Sequence, residues 1–223
     1  MIRTMDITHQ SEKNENFTDY HTHILPQIDD GPKDVSVSVN MLLSLKEQGV
    51  AKVCLTPHYF HHLESISDFT QRRKTSFDLL CEEIKKQGLT DKVPEMVLGA
   101  EVSFERDLIN EEDIRGLCYE NSDLLLLEMP FGTPDDQLFL SIENLALKFK
   151  IRPVIAHLDR YVSFFKKEQL FRLFDVPGVI IQFNASSKGF FRQGSFIKKV
   201  IQTGVPVVFG SDCHDMKSRP PKI

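Results

Sequence analysis

The sequence predicts one α/β domain of about seven strand–helix units, closed into an irregular barrel. Two observations carry this. From Phe17 onward, short runs rich in Val, Ile, Leu and Phe alternate with longer stretches whose apolar residues recur at helical spacing, the pattern of a parallel sheet with crossover helices. The predicted strands end near His23, Pro57, Glu101, Glu128, His157, Asn184 and Asp212, so ionisable groups gather at the carboxyl-end rim, where barrel sites are built. Periodicity alone also admits an open doubly wound sheet, but that fold would gather its ligands at one switch point.

Taken in order, residues 1–16 are mostly polar and lack the charged start, apolar stretch and small-residue cleavage site of a secretory signal, so they read as an N-terminal tail before a domain over 17–223. In the first helix Asp34 is the expected cap, Val35, Val39, Leu42 and Leu43 the apolar stripe, and Gly49 the left-handed exit. The second helix repeats the scheme with Asp68 as cap, Phe77, Leu80 and Ile84 as stripe and Gly88 as stop. A later helix should bury Leu138, Ile142, Leu145 and Phe149.

Composition narrows the function. Of 223 residues 41% are hydrophobic and 26% charged, ordinary globular usage rather than that of a disordered chain. With 27 Lys and Arg against 32 Asp and Glu the net charge is -5, so nothing cationic favours nucleic acid or an anionic membrane. The longest apolar runs, Leu124 to Leu127 and Val205 to Phe209, fall well short of the roughly 20 residues a spanning helix needs. Cys54, Cys81, Cys118 and Cys213 form no Cys-x-x-Cys pair; this is neither a zinc-knuckle nor a secreted disulfide pattern, and it predicts a cytoplasmic protein.

The chemistry lies in imidazoles and carboxylates. Five of the eight histidines, His21, His23, His58, His157 and His214, fall at predicted strand ends. The His21-Thr22-His23 pair shares one strand face; alone it is weak evidence for a metal. Asp30, Glu101, Glu128 and Asp212 occupy turns or ends of the same rim, and without cations such a cluster of acids would repel itself. Imidazole and carboxylate without thiolate suit Mn²⁺, Fe²⁺ or Zn²⁺. His61 and His62 sit in the loop after His58, and Ser186, Ser187 and Lys188 follow the strand ending at Asn184; solvated surface positions are the ordinary reading of all five.

Several blocks are more specific: His-Thr-His-Ile-Leu-Pro-Gln-Ile-Asp-Asp-Gly-Pro from His21, Thr-Pro-His ending at His58, Gly-Ala-Glu at Glu101, Ala-His-Leu-Asp-Arg-Tyr around His157, and Gly-Ser-Asp-Cys-His with Arg-Pro-Pro at the end. From about Thr18 to Pro221 the chain resembles the polymerase and histidinol phosphatase (PHP) family, most closely its bacterial capsule and exopolysaccharide tyrosine phosphatases of the CpsB/CapC type. The resemblance implies a distorted (β/α)7 TIM-like barrel holding two to three divalent ions, commonly Mn²⁺. By family pattern His21, His23, Glu101 and Asp212 hold one ion, Glu101 bridges to a second shared with Glu128 and His157, and Asp30, His58 and His214 hold the third. Arg160 and Arg219 match the family's phosphate-contacting arginines, whose forks suit a phosphoryl group. The family continues past Arg219-Pro220-Pro221 into a last helix, whereas this sequence stops at Ile223.

The activity implied is metal-assisted hydrolysis of phosphotyrosine, by direct attack of an activated water on phosphorus, in the tail of a tyrosine kinase that regulates capsule or exopolysaccharide export. The alternatives are a small-molecule phosphomonoesterase such as a histidinol-phosphate phosphatase and a catalytically silent module that binds a kinase tail. A rival chemistry is written into Cys213 and Arg219, whose Cys-x5-Arg spacing is that of thiol-dependent tyrosine phosphatases. The intervening His214 to Ser218 contains no glycine and Pro220-Pro221 follows, which disfavours the tight amide cradle a thiolate needs. Alternation along the strand end should also turn Cys213 away from Asp212 and His214.

Overall fold

A computed structural model describes residues 17–132, 136–186 and 191–223. The expected tail over 1–16, and Ser187 and Lys188, lie outside the described residues. The strands are β1 (Phe17–Thr22), β2 (Val50–Leu55), β3 (His58–Tyr59), β4 (Glu95–Leu98), β5 (Glu101–Ser103), β6 (Leu124–Glu128), β7 (Arg152–Ile155), β8 (Ile180–Asn184) and β9 (Val207–Gly210). The helices are α1 (Val35–Glu47), α2 (Ile66–Lys86), α3 (Asp136–Phe149), α4 (Leu158–Tyr161), α5 (Lys167–Phe171) and α6 (Phe191–Gln202).

All ladders are parallel, in two sheets ordered β1-β2-β4 and β3-β5-β6-β7-β8-β9. The sheets are one ring. The chain runs from β2 into β3 through Thr56-Pro57 and from β4 into β5 through Gly99-Ala100, where Gly99 N–H donates to Leu55 O (2.9 Å) and Glu101 N–H to Pro57 O (3.0 Å). Seven strand lines result. At the other seam Thr22 bridges Cys213, His23 N–H donates to Cys213 O (2.9 Å) and Asp212 N–H donates to His21 O (2.8 Å). A distorted barrel of strand–helix units is therefore the fold. Between β5 and β6 the crossover holds 3₁₀ turns, Arg106–Asn110 and Arg115–Leu117, in place of an α-helix.

Period-two alternation sorts the side chains. On β6 Leu125 and Leu127 join the outer cluster under α3, whereas Leu124 and Leu126 face an inner cluster with Val154, Ala156, Ile180 and Val208. Following the same inner face toward the carboxyl end replaces Leu126 by Glu128 on β6 and Ile180 by Gln182 and Asn184 on β8. The barrel thus has an apolar floor and a polar rim.

The helices follow from their caps and stripes. Asp34 caps α1, its Oδ1 accepting from Ser36 N–H (2.8 Å), and Gly49 exits at φ +87°. Val39 and Leu42 are buried, joined by Met41 and Leu45. In α3 Leu138, Ile142 and Leu145 are buried and Phe149 partly so. The expected cap of α2 is corrected: Ser65, not Asp68, is the N-cap, its Oγ accepting from Asp68 N–H (3.1 Å) and donating to Asp68 Oδ2 (2.7 Å). Asp68 then occupies the third helical position, where its charge still faces the helix dipole. Glu101 is likewise corrected from a strand end to the first residue of β5. Beyond β9 the chain runs without a helix to Ile223, whose N–H donates to Gln48 Oε1 (3.1 Å).

Candidate metal centre

At the rim, β1 delivers His21 and His23 to one face, both fully buried, with Nε2 atoms 3.1 Å apart. Glu101 is the hub. Its Oε2 lies 3.2 Å from His21 Nε2, 3.1 Å from His23 Nε2 and 3.1 Å from His58 Nδ1, and its Oε1 is 2.9 Å from His157 Nε2. Glu128 Oε1 lies 3.3 Å from the same His157 nitrogen. Asp212 Oδ1 stands 3.6 Å from His21 Nε2 and 3.7 Å from His23 Nε2, while Asp30 Oδ1 is 3.2 Å from His214 Nε2 and 3.5 Å from His58 Nε2. All nine rim groups singled out in the sequence therefore converge.

Within this cluster three sets bring their ligand atoms within 4.8 Å of one another: His23, Asp30, His58 and His214; His21, His23 and Glu101; and His58, Glu101 and Glu128. The sets overlap the family's ligand pattern but place His23 with the Asp30 group and His58 beside Glu128. Two backbones are held in the left-handed region, His157 at φ +31° and Asp212 at φ +53°, an arrangement sterically costly for non-glycine residues and found where surroundings enforce it.

The donor set fits divalent cations on its own geometry. His58 Nδ1 and His214 Nε2 are buried and close to Glu101 and Asp30 carboxylate oxygens, yet make no hydrogen bond. Each is an imidazole nitrogen beside a carboxylate oxygen with no hydrogen bond joining them, a pairing that a shared cation would satisfy. Charge tells the same story. Burial alone would lower the pKa of His23, but hydrogen bonds to Asp29 and Glu101 outweigh it and lift it to about 10. Burial likewise opposes, and Glu101 and Glu128 reverse, the shift of His157, lifted to about 9. His214 is pushed down to about 4 by burial and the neighbouring His23 charge. Burial pulls Glu101 upward, but the surrounding imidazoles hold it well below the ordinary carboxylate range. Burial and ion pairing thus act against each other in a cage whose carboxylates cations could neutralise.

A supporting shell orients these groups, and sequence reasoning missed its members. The Asp29 carboxylate accepts from His23 Nδ1 (2.7 Å), Gly31 N–H (2.9 Å) and His58 N–H (3.1 Å). Gly31 is required there because a Cβ would sit 2.3 Å from His23 O. Gln182 Oε1 accepts from His157 N–H (2.5 Å) and lies 3.2 Å from His21 Nδ1, and its Nε2 donates to Asn184 Oδ1 (3.1 Å). Asn184 Nδ2 in turn donates to Asp212 Oδ2 (3.1 Å). The adjacency in Asp29-Asp30-Gly31 and the polar alternation of Gln182 and Asn184 on an otherwise apolar strand were the available signals.

Both arginines stand at the edge. Arg160 contacts Asp212 Oδ2 and Arg219 donates to Asp30 Oδ2 (2.6 Å). Cys213 turns the other way, into the apolar cluster with Leu25, Val39 and Leu42, and burial pushes its thiol pKa far up, the opposite of an activated thiolate. His61 and His62 face Glu111 (3.6 Å) and Glu105 (2.8 Å), which flank the Arg106–Asn110 turn, rather than the cage, and Ser186 is exposed.

The chain is similar to known proteins along nearly its whole length. The tyrosine-protein phosphatase CpsB of Streptococcus pneumoniae is 28% identical over 91% of this chain and 85% of its own, and the tyrosine-protein phosphatase YwqE of Bacillus subtilis is 26% identical over 90% and 78%. A chain from the crystal structures of YwqE and CpsB, described as metal-dependent tyrosine phosphatases, superposes with a TM-score of 0.73 at 22% identity, covering 92% of this chain and 82% of that one. The fold is shared with that structure. The sequence profile for capsular polysaccharide synthesis, CpsB/CapC, matches residues 17–223, and this chain belongs to that family.

Proposed function

We propose that this protein is a metal-dependent phosphotyrosine-protein phosphatase. The observation that carries the reading is the Glu101 hub, a buried carboxylate within 3.2 Å of four imidazoles at the rim of the barrel. His21, His23, Asp30, His58, Glu101, Glu128, His157, Asp212 and His214 would hold two to three divalent ions, with Mn²⁺ the expected metal and Fe²⁺ or Zn²⁺ compatible with the same donors. Such ions, when bound, polarise phosphoryl oxygens and acidify water.

The remaining work belongs to the chain. The buried His21, His23, His157 and Glu101 side chains sit at the rim shielded from bulk water. Arg160 and Arg219, each anchored through one carboxylate, present their remaining N–H groups to the equatorial phosphoryl oxygens, where charge builds during transfer. With Cys213 facing away, no side-chain thiol is placed to attack phosphorus. The phenolate leaving group, with a pKa near 10, needs little help from a general acid.

The substrate is the phosphotyrosine tail of a bacterial tyrosine kinase controlling capsule or exopolysaccharide export, met in the cytoplasm; the family assignment supports this, and no described helix is long and apolar enough to cross a membrane. Hydrolysis of a phosphotyrosine peptide, measured after chelation and again after Mn²⁺ is restored, tests the reading. Turnover that survives chelation would overturn it.

A further inference from the structure

Beside the cage the surface changes character. Phe131, in the turn after β6, is 53% exposed, and Phe164, just past α4, is 59% exposed. The rings are ordered against each other. Phe131 lies parallel to Tyr161 (centroids 5.2 Å, 14°) and to His157 (6.3 Å, 17°), and Phe164 stands edge-on to Phe131 (6.1 Å, 70°). Tyr161 is fully buried and its hydroxyl donates to Met129 O (2.5 Å). One face of Phe131 is thus fixed by a rigid partner, while much of the ring meets water beside Phe164.

We propose that Phe131 and Phe164 form an aryl step that receives the aromatic ring of the leaving group, so that the site prefers aryl over alkyl phosphates. The inference deepens the phosphatase reading and rests on it. An aryl phosphate carries its ring one ester oxygen from phosphorus, and the step stands beside His157 of the candidate metal cage. A ring laid against Phe131 with its edge toward Phe164 uses the offset-stacked and T-shaped geometries that aromatic pairs prefer. Because Tyr161 and His157 already hold Phe131 in place, little ordering cost falls on binding. A serine or threonine phosphate has no ring to cover these side chains.

Non-hydrolysable phosphonates test this without turnover. Calorimetry on the Mn²⁺-loaded protein should show benzylphosphonate binding about 10-fold more tightly than methylphosphonate. Phe131→Ala should erase the preference, Phe164→Ala should reduce it, and Phe131→Tyr should restore it. Phe131→Leu, which keeps apolar bulk without a ring, guards against a folding defect and should also lose the preference. Because the chain has no tryptophan, Phe131→Trp adds a single indole, whose emission 4-nitrobenzylphosphonate should quench saturably and methylphosphonate should leave unchanged. Equal affinity of the wild type for both phosphonates, or a preference that survives in Phe131→Ala and Phe131→Leu, overturns the step. A phosphotyrosine peptide left intact by a protein that keeps the preference would instead defeat the phosphatase reading alone.

Discussion

Asp29→Asn is the sharpest test of how the cage is held. The Asp29 side chain is 5% exposed, and its Oδ2 accepts from both His23 Nδ1 (2.7 Å) and His58 N–H (3.1 Å) while Oδ1 accepts from Gly31 N–H (2.9 Å). Asparagine has nearly the same shape but only one acceptor oxygen. If that oxygen stays on Gly31, the amide NH₂ faces two donors. His23 must then give up its Nδ1 proton and carry it on Nε2, the nitrogen that points at Glu101 and should ligate a cation. Losing one charge-assisted hydrogen bond costs about 1.5–3 kcal/mol, and losing a partner that orients a metal ligand costs about 10- to 100-fold in affinity, or roughly 1.4–2.7 kcal/mol. The two estimates agree. Competition titration with a metal-binding dye should therefore give a Mn²⁺ dissociation constant raised about 10- to 100-fold, with circular dichroism unchanged. Asp78→Asn, on an exposed pair with Lys74, is the control. Wild-type affinity in Asp29→Asn, or a loss no greater than in the control, would refute the orienting role.

Elemental analysis of purified protein should find two to three divalent ions per chain, since nine donors exceed what one ion uses; a single ion would dismiss the shared Glu101 hub. Arg160→Ala and Arg219→Ala should each lower phosphotyrosine turnover about 30- to 1,000-fold, equivalent to about 2–4 kcal/mol, while metal content stays at the wild-type level. Cys213→Ser should keep most activity and His214→Ala should abolish it. A dead serine variant together with an active chelated enzyme would return the reaction to the thiol.

Much of the architecture was legible because local rules and the global fold agree. Seven strand lines, the Asp34 cap, the Gly49 exit and the α3 stripe all follow from periodicity and cap chemistry. The sequence does not separate Ser65 from Asp68 as the α2 cap, because both are capping types three residues apart and which of them starts the helix depends on the entering loop. That Glu101 begins a strand rather than ending one is not legible, because the break at Gly99-Ala100 is tertiary in origin: a Cβ on Gly99 would meet the Tyr119 ring at 2.7 Å. The nine rim groups could be gathered from spacing, since parallel strands bring their carboxyl ends to one side. Asp29, Gln182 and Asn184 could not be assigned, because their roles also depend on distant partners: His23 and His58 for Asp29, His21 for Gln182 and Asp212 for Asn184, 6, 29, 161 and 28 residues away. Nor does a sequence say which phenylalanines stay outside; Phe131 and Phe164 look like core residues until the fold is known.

The seam between the first and last strands has a consequence for biosynthesis. It is closed by one bridge and two backbone hydrogen bonds linking Thr22, His23 and His21 to Cys213 and Asp212. The groups of the cage straddle it, with His21 and His23 on one side and Asp212 and His214 on the other. Contacts of this sequence separation form late, after much of the chain-closure entropy has been overcome. During vectorial synthesis the first histidines leave the ribosome nearly two hundred residues before their partners, so an early His-x-His segment meets the cellular metal pool with an incomplete set of donors. If these groups hold cations as proposed, selection would be deferred to the finished barrel, where cavity shape and carboxylate count, rather than the avidity of two imidazoles, would decide what is kept.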